Sequence, residues 1–326
     1  MRHPANAVRL ALAPLCILAA GCAAPDEPAR PPDPAPVVSA MGDADAILRA
    51  NLLATYMALA PQMAVARGSG TVFGDTLVGK TLEWSAPTVR YLAGSRPGAP
   101  AGSVRFVLYR PDATTNAYPS YPLTELGLTD KFATTSRGTP ALRTVLRDSA
   151  GVPPGADYVV GGSFGTEAYT VTLDGSIRQT VTGTVHMSLD VEPTLTQALI
   201  TVSVPDRDVS VRSFHSDVIS GDTLFGSVDF RVTHDGHTVS MIGTFMLTHL
   251  DAARPDETLD LTFRDGPVTF ATMRGSAGAP QITDDDGMPV SSGGAFAISR
   301  LLGSPDRYFA AVTRMAQPDF ALLRGY

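Results

Sequence analysis

The chain has 326 residues, 44% of them apolar and 17% charged, with 30 Gly, 26 Pro and 2 Cys. That composition supports one large apolar core and excludes a disordered chain, a disulfide scaffold and a coiled coil. The net charge of −7 argues against a nucleic-acid partner, and the low charged fraction with abundant Thr, Ser and Gly favours β structure.

Residues 1–9 carry Arg2 and Arg9 and no acid, and residues 10–21 are almost unbroken apolar sequence. A helix needs roughly 20 residues to span a bilayer, so this stretch is too short to do so. It has the length and flanks of a secretory signal core. It ends in Leu18-Ala19-Ala20-Gly21-Cys22, which resembles the lipobox of bacterial lipoproteins. Ala19 stands where the usual lipobox has Leu, with Leu18 one position earlier. The resemblance implies removal of residues 1–21, diacylglycerol on the Cys22 thiol and acylation of the new N-terminus. Several acyl chains anchor stably where one is marginal. Ala23, rather than Asp, follows the cysteine, and by the same resemblance this implies an outer-membrane destination facing the periplasm. Losing Arg2 and Arg9 leaves 23 basic residues against 32 acidic ones, a net of −9. Cys16 leaves with the signal and Cys22 is capped, so thiol catalysis and Cys-ligated metal are not expected.

Residues 22–40 read as a lipidated tether, Pro-rich over 23–36 and unsuited to helix or core. A helix follows, with Asp43 as N-cap and Ala44, Leu48, Leu52, Tyr56, Leu59 and Met63 at i+3/i+4 spacing. Asp45 and Arg49 form an i,i+4 pair expected on its polar side. Strands are expected over 77–84, 88–93 and 103–109. Residues 111–155, with six prolines, are expected to be long loops with one or two short elements.

Residues 166–273 read as an antiparallel meander of about eight strands. Asp235-Gly236 is a type I′ turn signal that sets Val232 opposite Val239, Phe230 opposite Met241 and Leu224 opposite Leu247, apolar along one face. Asp206-Arg207 sets Val204 opposite Val209. Asp265-Gly266 is expected to set Phe263 opposite Val268, and Asp174-Gly175-Ser176 to form a loop that sets Leu173 opposite Ile177. A short C-terminal helix is expected over 305–316, with Ser304 as N-cap and Pro305 at N1. The fold expected is therefore mainly β, an antiparallel meander forming a curved sheet, sandwich or barrel-like domain. It carries an N-terminal helix and a short C-terminal helix within one domain of residues 41–326.

Two patterns match catalytic formulas by letter, and two further clusters offer metal-ligating side chains. Residues 74–81 fit the P-loop formula, but Leu82-Glu83-Trp84 and Pro87 follow where a helix is required. Gly161-Gly162-Ser163-Phe164-Gly165 fits a nucleophile elbow, yet residues 166–173 alternate like a strand. His234 and His237 flank a turn and offer two metal ligands without a local third. Asp284-Asp285-Asp286-Gly287 lacks the spaced ligands and distal Glu of a calcium loop. No cofactor is expected. The function expected is a non-catalytic, lipid-anchored envelope protein that binds an envelope protein or lipid through its β-rich domain. The alternatives are a carrier for a hydrophobic ligand such as an acyl chain and, third, a serine hydrolase using Ser163.

Overall fold

The computed structural model describes residues 33–49, 51–63, 72–110, 123–149, 155–178, 181–252 and 255–324. The signal segment, Cys22 and most of the tether lie outside these residues. The described chain is mainly β, as its composition and alternation require. A single sheet of fifteen strands runs in the order β15 through β3 in unbroken sequence, then β1 and β2. It is not closed, and among the described residues no second sheet packs on it. All neighbours are antiparallel except β1 (Thr81–Ser85) and β3 (Ser103–Tyr109). β2 (Arg90–Ala93) and β15 (Gln281–Thr283) form the edges, and both are very short, which limits unwanted strand addition.

The meander is longer than the sequence signals suggested. β4 (Glu125–Ser136) and β5 (Thr139–Asp148) are full strands inside the segment expected to be loops. Pro140 is accommodated at the hairpin end, opposite Thr135. β6 (Ala156–Phe164) then leads into the eight strands that span the expected meander: β7 (Tyr169–Arg178), β8 (Thr182–Val191), β9 (Leu195–Val204), β10 (Val209–Ser220), β11 (Thr223–His234), β12 (His237–Thr248), β13 (Asp256–Asp265) and β14 (Val268–Ser276).

The β11–β12 register is the one read from the sequence, including Val232 opposite Val239 and Leu224 opposite Leu247. Asp235 and Gly236 take the positive φ values, 50° and 73°, that a type I′ turn needs. Val204 likewise faces Val209. Two registers differ. Asp265 itself faces Val268, and a bulge places Phe263 opposite Ala271. The turn is therefore Gly266-Pro267, with positive φ at the glycine, as a type II′ turn prefers. Asp174, Gly175 and Ser176 are not a loop but lie within β7. Gly175 packs against Tyr158, and a Cβ on it would fall 2.1 Å from that of the tyrosine.

One face of the sheet is covered by helices. α1 (Ala35–Ser39), α2 (Met41–Leu48) and α3 (Asn51–Met63) replace the single helix expected, so the tether ends before residue 35. Pro36 fits because it lies in the first turn, where no backbone donor is needed. Val38, Met41, Ala44 and Ile47 are wholly buried at i+3 spacing. The Leu52 and Leu59 side chains lie outside the described residues. α4 (Ser292–Leu302) is capped by the Ser291 hydroxyl, which accepts from Gly294 N. α5 (Ser304–Leu323) runs past Pro318 rather than stopping at residue 316, and Gly303 rather than Ser304 is its N-cap. Tyr308, Val312, Met315, Asp319 and Leu322 form its buried stripe.

Candidate functional site

The covered face contains a buried polar cluster in an otherwise apolar layer. Lys131 points inward from β4 and is paired with Asp319 of α5, both fully buried. Its ammonium also donates to the Tyr56 hydroxyl of α3 at 2.7 Å and to Thr144 Oγ1 of β5 at 3.1 Å, which uses all three of its protons. Thr144 Oγ1 donates to the second Asp319 oxygen at 2.8 Å. Tyr158 donates to the Met315 carbonyl at 3.3 Å. Burial pushes the Lys131 ammonium down, with Asp319 opposing it. Burial, reinforced by the Asp319 charge, pushes the Tyr56 and Tyr158 phenols well up, so both stay neutral. With its donors committed and no exposed face, the cluster ties helices to sheet and offers nothing to a substrate. The sequence did carry a signal for it. Lys131 sits at an inward position of β4, and Asp319 on the i+3/i+4 stripe of α5, both places where apolar residues are the rule.

A second polar group lies where α5 begins. Asp217 and His215 of β10, Glu257 of β13 and Asp306 of α5 gather there. His215 Nε2 lies 2.8 Å from Asp217 Oδ2. Burial, with the Asp306 charge, raises Glu257, and burial, with Asp217 added, raises Asp306 while His215 opposes it. Asp217 Oδ1 and Glu257 Oε1 have no hydrogen-bond partner among the described residues. No group of three or more His, Cys, Asp or Glu able to hold a metal occurs among them either. Asp45, expected on a polar helix face, is nearly buried in the helical layer. It meets Arg307 at 3.2 Å and Arg300 at 3.9 Å as well as Arg49 at 3.8 Å.

Of the residues singled out by formula, His234 and His237 stand opposite each other across their turn, as expected, and the others are not brought together. Ser163 lies within β6, which turns into β7 rather than a helix, and its hydroxyl shares a 2.9 Å hydrogen bond with that of Thr170. Lys80 precedes β1, not a helix. His237 pairs with Asp265, whereas the ion pair of His234 among the described residues is with its neighbour Asp235, at 3.7 Å. Asp284 Oδ1 is taken up by the backbone N–H groups of Asp286 and Met288.

The face of the sheet away from the helices is open over β7 to β14, whereas over β3 to β5 it is buried at Val107, Asp130 and Val145. It carries Thr and Ser interspersed with ion pairs between neighbouring strands. Asp130 accepts from Arg105 Nε at 2.6 Å and meets Arg147 at 3.7 Å. Arg143 pairs with Asp157, Arg231 and Arg212 with Asp229, and Arg274 with Asp260. In these ladders six arginines meet four aspartates, which leaves a polar surface with charges fixed in place and a small excess of positive charge. No protein-family model, no curated protein and no solved structure matches the chain.

Proposed function

We propose that the protein is a non-catalytic, lipid-anchored component of the bacterial cell envelope, tethered through Cys22 and binding another envelope component through the open face of its sheet. The observation that carries this reading is the division of the two faces. The chain's own helices occupy the apolar face, with Tyr56, Met41, Ile47, Val312 and Met315 wholly buried. That is the face a hydrophobic carrier would need for its cargo. The opposite face is broad, polar and stiffened by ion pairs, suited to recognition. The export signal and lipobox resemblance supply the location, and the Pro-rich segment after Cys22 supplies the reach.

Affinity purification from solubilised membranes, with the lipidated chain as bait, tests the reading. It expects an envelope component enriched over an unrelated lipoprotein bait. Recovery of nothing above that control at low and moderate salt would overturn it.

A further inference from the structure

Besides the half-buried Leu199, Phe214 and Ile242, one more exposed row of the open face departs from the polar pattern. In register across β9 to β12, Leu195 faces Val218, Val218 faces Phe225 and Phe225 faces Met246. Phe225 is 49% exposed and Val218 44%. Because these strands are central in the sheet, the row is not an edge defect. Neighbouring apolar side chains left in water are a marker of recognition surfaces.

The surroundings of this row are acidic. The loops at this end of the sheet, joining β8 to β9, β10 to β11 and β12 to β13, carry Glu192, Asp222 and Asp251. Asp190 and Asp256 stand on the same face at the adjoining strand ends, and all five are exposed. His249, held by Asp256 at 3.1 Å, is the one basic side chain among the described residues of these loops. Asp190, Glu192 and Asp222 have no ion-pair partner among the described residues. An excess of negative charge of this kind repels an anionic lipid surface and attracts a cationic one.

We infer that the apolar row at the Gly221 end of the open face is a docking site for a partner segment of alternating basic and apolar side chains. Its apolar residues would cover Phe225 and Val218, and its Lys or Arg residues would meet the flanking carboxylates. This rests on the proposal that the protein binds through its open face, and it names the partner's chemistry.

The test uses the full chain in a neutral detergent and a dye-labelled short peptide of alternating Lys and Leu, followed by fluorescence anisotropy against empty micelles. Saturable binding is expected, weakened by added salt and about tenfold or more weaker in Phe225→Ser, as for a central aromatic contact. Val218→Ser serves as a second variant, since both side chains are exposed and neither supports the core. The inference is overturned by absence of saturable binding, or by equal affinity of both variants and wild type. It is also overturned by equal binding of an alternating Glu and Leu peptide. Sedimentation showing a dimer that Phe225→Ser dissolves would assign the row to a second copy and overturn it as well. None of these failures touches the anchoring at Cys22 or a partner captured elsewhere on the open face.

Discussion

Replacing Lys131 with Met keeps most of the side-chain volume and removes the charge. Asp319 would remain in the same fully buried position without its cation. Breaking a buried ion pair from one side costs about 3–5 kcal/mol, because the remaining charge has neither water nor partner. Here Asp319 still accepts from the Thr144 hydroxyl at 2.8 Å and from the Tyr56 hydroxyl at 3.5 Å. These contacts place the expected loss near the lower end, about 3 kcal/mol, or roughly 6 °C in Tm for a chain of this size. The double variant Lys131→Met/Asp319→Leu removes both charges and should recover most of that loss, since apolar pairs often replace buried ion pairs at no net cost. Urea titration followed by circular dichroism measures both. A Lys131→Met variant within about 1 kcal/mol of wild type, or a double variant as unstable as the single one, would refute the role given to the cluster.

Three further outcomes follow from the same geometry. Tyr56, Tyr91, Tyr158 and Tyr308 are all held neutral by burial above their ordinary value of 10.0. Each therefore contributes stability below pH 10 that is lost as pH rises, while the depressed Lys131 acts in the opposite direction. Tyrosinate absorbance and loss of circular dichroism should rise together above that pH; ionisation of these phenols in a still-folded chain would contradict this. Asp306 is raised above its ordinary 3.8, so its charge costs stability at neutral pH and that cost vanishes on acidification. Asp306→Asn should then match or exceed wild-type stability at neutral pH, with the difference gone below pH 3.8, as read from paired melts across pH. Gly243→Ala would place a Cβ 2.0 Å from the Asp260 carbonyl oxygen, a backbone clash worth about 1–3 kcal/mol, checked by the same urea titration.

How much could be read from the sequence depended on whether the local signal agreed with the tertiary demand. The β11–β12 ribbon was legible residue by residue because Asp235-Gly236 permits only one kind of turn and every inward position is apolar or Gly. The β13–β14 turn moved by a residue because Pro267 suits the second turn position beside Gly266. Gly175 read as a turn residue, yet it is glycine because Tyr158 occupies the space above it. β4 and β5 were hidden by the prolines around them and by Lys131, whose charge masks an inward strand position. Pro318 shortened the expected α5 in the same way, although the stripe through Asp319 and Leu322 continues. The polar cluster thus lay in the two places where patterning fails, because its partners come from β4, β5, α3 and α5 and meet only after folding.

The intact mass of the protein extracted from membranes tests the central proposal most directly. The account predicts a chain that begins at Cys22 and carries the added mass of a diacylglyceryl group together with an amide-linked acyl chain, all of it lost in Cys22→Ala. A membrane-free chain with an unmodified N-terminus at any other residue would contradict it.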